Sequence, residues 1–163
     1  MSRGYQYDFS VNSPYVYEVE NRERKARTMT AVLAVYLPES VDHSELLYVG
    51  GAAGIIDIYL ADHFRRVVGI DIDEPAIRHA QASYQRDNLE FRLADALKLP
   101  FANNSFDVVV CSHVYEHVPD PYKMFSEIRR VLRQGGICYF SAGNRLMWNE
   151  PHYNLPLLSV VPR

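Results

Sequence analysis

The sequence has few cysteines: two in 163 residues, Cys111 and Cys138, each in a short apolar run and without the paired spacing of a metal site. This excludes a disulfide framework and predicts two reduced, buried thiols in a cytoplasmic protein. No apolar run approaches the length of a membrane span, so no such span is expected. Residues 1–10 lack the apolar stretch of a secretory signal, and none is expected. Positive charge is not in excess either. The formal net charge is −3, which gives no net-charge argument for nucleic acid or an anionic membrane as partner. Internal repeats and low-complexity segments are absent. What is present is 48% apolar and 23% charged residues, an ordinary soluble globular balance. The length suits one domain that can bury a core without covalent staples.

Three zones can be read along the chain. Residues 1–43 open with Tyr5, Tyr7, Tyr15 and Tyr17 and then take on a helical period over about residues 21–36. Asn21 is the expected N-cap of that helix, and Met29, Val32, Leu33 and Tyr36 its apolar face. Residues 44–142 alternate short β-like runs with helices. Residues 143–163 hold Pro151, Pro156 and Pro162 and show no clear period.

The alternation in the middle zone is regular. Residues 46–49 read as a strand, residues 50–54 as a small-residue turn, and Ile55, Ile56, Tyr59 and Leu60 as a helix face. A second buried strand covers residues 67–71. The helix after it starts with Asp73 as N-cap and Pro75 in the first turn, and buries Ile77, Ala80 and Tyr84. Residues 89–93 form a third strand with Leu89, Phe91 and Leu93 on one side. Residues 106–111 are a continuous apolar run, as in the centre of a parallel sheet. A helix over residues 121–133 buries Met124, Phe125, Ile128, Val131 and Leu132 and ends at Gly135 and Gly136. Residues 137–142 are the last strand. This order predicts an α/β fold, a doubly wound parallel sheet built from right-handed crossovers.

Two features of this frame carry chemistry. The turn Gly50-Gly51-Ala52-Ala53-Gly54 brings backbone close to any ligand lying at the helix N-terminus. Asp71 ends the second strand, where a carboxylate in this architecture faces the two hydroxyls of a ribose. Tight strand–helix packing is the alternative reading of the glycines. The third glycine of a dinucleotide fingerprint is missing, so a nicotinamide-dependent oxidoreductase shares only part of the pattern.

The glycine turn fits Gly-x-Gly-x-Gly better. The run "LLYVGGAAG…VVGIDIDEPAI" resembles the first motif and acidic loop of the class I S-adenosylmethionine-dependent methyltransferases. The string "FRLADALKLPFANNSFDVVVCSHVYEHVPDPYKMFSEIRRVLRQGGICYFSAGN" is similar to the later motifs of the ubiquinone- and menaquinone-biosynthesis-like branch. The resemblance covers about residues 45–144. It implies a Rossmann-like core binding S-adenosylmethionine, with S-adenosylhomocysteine as product and a small molecule as methyl acceptor. It further implies that Gly50, Gly51, Ala52 and Gly54 form the loop around the methionine part. Asp71 would hold the ribose, Ile72 would pack on the adenine, Asp95 and Ala96 would meet the adenine amino group, and Ser112 and His113 would border the sulfonium. Two positions depart from the family pattern. Tyr48 stands where an acidic residue is usual, and Ala52 replaces the middle glycine, which a positive φ would strain.

Methyl transfer asks for alignment and exclusion of water more than for covalent chemistry. A hydroxyl acceptor also needs a base near neutral pH, for which His117 and His113 are the candidates, with Glu116 and His117 holding the loop as the alternative. Asp107 is expected to be structural. The Tyr-rich N-terminus is expected to cap the acceptor pocket, and His152 and Tyr153 to approach it from the far side. Arg22, Arg24, Lys25 and Arg27 read as one solvated helix face. The reading is thus a methyltransferase acting on a small molecule, its alternative a methyltransferase-like binding protein without catalysis. The family's sheet ends in a C-terminal β-hairpin, which the prolines after residue 142 argue against. The chain is therefore expected to stop short of the full fold, with its fifth strand an open edge suited to self-association into a homo-oligomer.

Overall fold

The computed structural model describes residues 7–37, 40–143, 149–150 and 155–156. In chain order the helices and strands are α1 (Phe9–Asn12), α2 (Val19–Tyr36), β1 (Glu45–Val49), α3 (Ile55–Ala61), β2 (Arg66–Asp71), α4 (Glu74–Ser83), β3 (Leu89–Leu93), β4 (Phe106–Ser112), α5 (Pro121–Val131), β5 (Leu132–Ser141), β6 (Asn149–Glu150) and β7 (Leu155–Pro156). The first five strands form one parallel sheet in the order β3-β2-β1-β4-β5. The chain thus winds outward from β1 in both directions, which is the expected doubly wound fold.

The two faces of the sheet carry separate cores. On one face, α2 and α3 bury Ala26, Met29, Leu33, Ile56 and Leu60 against Leu46, Tyr48, Val108 and Val110. On the other, α5 buries Met124, Ile128 and Val131 against Leu47, Val49, Val109 and Cys111. Alternation along β1 decides which residue faces which layer. Asp73 caps α4 by accepting from the Ala76 N–H at 3.0 Å, and Asp120 caps α5 through the Lys123 N–H at 3.0 Å. Each cap is followed by a proline in the first turn, as the sequence shows for Pro75 and Pro121. No helix among the described residues is long and apolar enough to cross a membrane.

Several local expectations are corrected. The long helix begins at Val19 with Glu18 in the cap position, and Asn21 lies inside its first turn, donating to Glu18 Oε2 at 2.7 Å. The buried stripe of that helix is Ala26, Met29 and Leu33, while Val32 and Tyr36 are exposed. A small residue at position 26 lets the helix pack closely on the sheet, and this turns Val32 and Tyr36 outward. Helix α5 stops at Val131, because Leu132 is already extended and the next side chain is drawn away. The Arg133 guanidinium donates to Asp107 at 2.6 Å and to Glu45 at 3.0 Å, tying the start of β5 to β4 and β1. The ladder then jumps from Phe106–Leu132 to Val108–Ile137, so residues 133–136 bulge out around Gly135 at φ +80°. Asp107 is structural, as expected.

The outer strands are less covered than their sequences suggest. Leu93 on β3 and Phe125 and Phe140 around β5 are exposed. Cys111 is buried, its thiol pushed up to about 12 chiefly by that burial, but Cys138 is exposed because β5 is the sheet edge. Beyond β5, β6 and β7 pair antiparallel with each other in a separate two-stranded ladder. This short pairing includes Pro156, and among the described residues no further strand extends the main sheet beyond β5, as expected.

Candidate functional site

The small-residue turn sits where β1 and β2 end side by side. The Gly50 and Gly51 N–H groups donate to the Ile70 carbonyl at 2.8 and 3.1 Å, fixing the loop to β2. Gly50 has φ +80°, and a Cβ there would come 2.2 Å from Val114 Cγ2, so only glycine fits. Gly54, also at φ +80°, is the N-cap of α3, and a Cβ on it would meet Phe91 at 2.7 Å and Ala80 at 2.9 Å. Ala52 takes φ +49°, the left-handed conformation that strains a side chain. Its N–H donates to Asp71 Oδ2 at 2.8 Å, while Asp71 Oδ1 accepts from the Asp73 N–H at 3.0 Å. Burial raises the Asp71 carboxyl above the usual carboxylate range, and these backbone N–H bonds oppose the rise. Each oxygen accepts one N–H and keeps a lone pair for a ligand hydroxyl.

The loop forms one wall of a cavity of about 470 Å³ above the carboxyl ends of the strands. That volume lies within the ~300–1,000 Å³ usual for cofactor-sized ligands. Gly50, Ala52, Asp71, Ile72, Asp95, Ala96, Ser112, His113 and His117 all line it. Gly51 and Gly54 do not: Gly51 leaves room for the Asp57 carboxylate, 2.8 Å from where its Cβ would lie, and Gly54 packs on α4 and β3. Asp95 also accepts from the Leu97 N–H at 2.8 Å, closing its own turn.

Residues before the sheet contribute walls that the sequence does not single out. Phe9 of α1 and Glu18, Arg22 and Lys25 near the start of α2 line the cavity. Of the four cations read as a solvated face, Arg22 and Lys25 therefore line the cavity; Lys25 is exposed, as are Arg24 and Arg27, which do not line it. Tyr7 and Tyr17 are exposed, Tyr17 packing edge-on to His79 at 4.9 Å, so among the described side chains of this segment Phe9 closes this side; Tyr5 lies outside the described residues. The Phe9 ring lies 6.0 Å from that of His117. Nothing in the sequence marks Phe9, because helical period fails in a four-residue helix. His152 and Tyr153 lie outside the described residues.

Two carboxyls near the cavity, one buried and one half-buried, depart from the usual carboxylate range. Asp57, in the first turn of α3, is fully buried and neither carboxyl oxygen has a hydrogen-bond partner. Desolvation drives its pKa well up, Asp71 adds to this, and Arg22 opposes it. Tyr48, 2% exposed and paired in the sheet between Gly69 and Val110, lies on the same side, its hydroxyl also driven up by burial and then by Asp57. Glu116 follows β4. Its Oε1 accepts from the Gly143 N–H at 2.7 Å and lies 3.6 Å from His113 Nδ1. Burial disfavours the charge, but these contacts outweigh it and bring the Glu116 carboxyl down to about 2. His113 is at φ +57° and donates its N–H to Ser141 O at 2.8 Å. The loop after β4 is thus pinned to the end of β5 from two sides.

The nucleoside half of S-adenosylmethionine fits these residues: an acid with free lone pairs at Asp71, apolar surface at Ile72, a second acid at Asp95, and a glycine backbone with no room for a Cβ. Comparison with known proteins agrees. Residues 47–140 match the family model described as a methyltransferase domain. Over 113 residues the chain is 37% identical to a probable S-adenosylmethionine-dependent methyltransferase of Mycolicibacterium smegmatis, covering 69% of this chain and 43% of that protein. It is 33% identical to the ubiquinone biosynthesis O-methyltransferase of Coxiella burnetii, covering 61% and 44%. Among solved structures, the putative methyltransferase of Haloferax volcanii, in complex with the Trm112 methyltransferase activator, superposes with a TM-score of 0.68. The identity is 24% and the coverage 82% of this chain and 57% of that one, a likeness of fold. The chain spans less than half the length of these two curated relatives.

Proposed function

The chain belongs to the methyltransferase domain family, a class I S-adenosylmethionine-dependent fold, and from that premise we propose that it transfers a methyl group from S-adenosylmethionine to a small-molecule acceptor. The observation that carries this reading is the convergence of Gly50, Ala52, Asp71, Ile72, Asp95, Ala96, Ser112 and His113 on one cavity. Residues 44–142 are the binding core, and residues 1–43 its cap. A binding protein without catalysis is not favoured, since the relatives are named as methyltransferases.

S-adenosylmethionine, when bound, supplies an electrophilic methyl on a sulfonium. The protein's work is then binding, orientation and exclusion of water. Asp71 takes the ribose hydroxyls on the lone pairs left by the Ala52 and Asp73 N–H groups. Ile72 packs on the adenine, and Asp95 with the Ala96 backbone meets its amino group. Gly50 and Ala52 bound the methionine part. Ser112 and His113 border the reacting end, and Phe9 keeps solvent from it. For a hydroxyl acceptor, a ring nitrogen of His117 takes the proton, with His113 as second candidate. The open edge of β5 is the surface through which copies would associate.

Calorimetric titration with S-adenosylmethionine and S-adenosylhomocysteine tests the core of this reading. Saturable binding of both is expected, and no binding at millimolar ligand refutes it. Full activity in His117→Ala removes that residue as the base.

A further inference from the structure

Two walls of the cavity are joined behind its surface. Asp71 Oδ1 accepts the Asp73 N–H at 3.0 Å. The Asp73 side chain is 3% exposed and takes three donors. Its Oδ1 accepts the Ala76 N–H at 3.0 Å and the Ser10 hydroxyl at 2.9 Å, and its Oδ2 accepts the Ser10 N–H at 2.7 Å. Ser10 is buried as deeply as Asp73. The residue before it, Phe9, lines the cavity with its ring 6.0 Å from that of His117. A continuous line of hydrogen bonds thus runs from Asp71 to the neighbour of Phe9.

This exceeds what a helix cap needs. An N-capping aspartate satisfies N–H groups of its own first turn, and one oxygen does so here. The second oxygen serves a segment 63 residues away. Helix α1 has four residues and no side-chain cap, and a helix so short does not hold its shape alone. Asp73 anchors its middle, and Tyr17, edge-on to His79 of α4 at 4.9 Å, anchors the chain beyond it. Of these two anchors, Asp73 is the one that also bonds Asp71. The strength of that bond depends on Asp71. Burial raises its carboxyl, and hydroxyl donors favour the charged form. A vicinal diol on Asp71 therefore makes it a stronger, charge-assisted acceptor for the Asp73 N–H. It also fixes the backbone from which the Asp73 side chain reaches Ser10.

We infer that Asp73 is a positioning residue that couples two walls of the cavity, setting Phe9 beside His117 in response to a diol on Asp71. The inference rests on the cofactor reading above and deepens it, because the wall at which an acceptor would sit is then tightened by the nucleoside. The coupling is reciprocal: docking of α1 strengthens nucleoside binding by the factor by which the nucleoside favours docking. At the weak end of the usual range that factor is about fivefold.

Calorimetric titration of the full chain with S-adenosylhomocysteine and with its 2′,3′-dideoxy analogue tests this in wild type and in Asp73→Asn, with amide hydrogen exchange of residues 9–12 followed at equal occupancy. Asparagine keeps one oxygen, enough for the α4 cap but not for both Ser10 donors as well. In wild type, S-adenosylhomocysteine is expected to slow the exchange about fivefold and the dideoxy analogue to leave it unchanged. The preference for the diol is expected to fall about fivefold in Asp73→Asn. Equal slowing by both ligands overturns the coupling, since the ligand then covers Phe9 directly. Slowing in the variant as large as in wild type overturns it whatever the analogue does. An equal loss of affinity for both ligands makes Asp73 a structural anchor only, and overturns it too. If wild type binds neither ligand, the cofactor reading fails and the coupling falls with it. Binding without any slowing of exchange sinks the coupling alone. A thermal melt shows whether the variant is folded. If it is not, Ser10→Ala, which leaves the α4 cap in place, is put through the same measurements with the same outcomes required.

Discussion

Ser10 and Asp73, sixty-three residues apart, are joined by two hydrogen bonds: the Ser10 N–H donates to Oδ2 at 2.7 Å and the Ser10 hydroxyl to Oδ1 at 2.9 Å. Both side chains are buried, and the same Asp73 caps α4. One carboxylate thus starts a helix beside Asp71 and holds down the segment that carries Phe9. Ser10→Ala removes one of the two bonds, worth about 1 kcal/mol, while leaving the α4 cap intact. The variant is expected to be cut faster by limited proteolysis before residue 19 and to release S-adenosylhomocysteine several-fold faster. An unchanged proteolysis rate shows that α1 is held by packing alone.

Ala52 pays for its methyl group at φ +49°. Left-handed backbone costs a non-glycine residue about 1–2 kcal/mol, of which the greater freedom of unfolded glycine returns about half. Ala52→Gly is therefore expected to raise the melting temperature by roughly 1–4 °C. It also widens the approach to the cavity, so S-adenosylhomocysteine is expected to bind more tightly. A lower melting temperature contradicts the strain argument.

Asp57 predicts a pH dependence. A buried carboxyl whose folded pKa lies above its unfolded value contributes stability below the unfolded value, near 3.8. That contribution falls away as pH rises toward the folded value, by up to about 1.4 kcal/mol per pH unit. Wild-type stability is expected to decline as pH rises from about 3.8 toward neutrality relative to Asp57→Asn, which cannot ionise. Denaturant melts across this range measure it, and parallel curves for the two proteins refute it.

The core and the convergence of Gly50, Asp71, Ile72 and Asp95 on one cavity were legible because their signals are local. Strand and helix periods place β1 to β5, and the distance from the glycine turn to Asp71 follows from one strand–helix–strand unit. Asp73 announces its helix through Pro75 in the first turn. What the sequence conceals is set by partners far along the chain. The end of α5 depends on Arg133 reaching Asp107 and Glu45, which makes a strand of residues whose own pattern reads as helix. Arg22 and Lys25 look like solvent charges until α2 is laid against the sheet on Ala26, Met29 and Leu33. The same docking turns Val32 and Tyr36 outward. Cys138 reads as buried only if β5 has a neighbour on both sides.

Glu116 supplies the opposite pH dependence. Its carboxyl is held down to about 2 in the folded chain against an ordinary 4.5, with the His113 and Gly143 contacts overcoming burial. A depressed carboxyl contributes stability above its unfolded pKa and loses it as pH falls through the folded one, so the window runs from about pH 4.5 down to about pH 2. Glu116→Gln keeps an acceptor for the Gly143 N–H but removes the charge that strengthens both contacts. The expected cost at pH 7 is about 1–2 kcal/mol, or roughly 2–8 °C in melting temperature. The gap between the two proteins is expected to shrink as pH falls below 4.5. Because the Glu116 contacts set the backbone from which His113 borders the cavity, the variant should also bind S-adenosylhomocysteine less tightly. A stability gap that stays constant from pH 7 down to pH 3 would show that Glu116 acts by shape alone, with its charge playing no part.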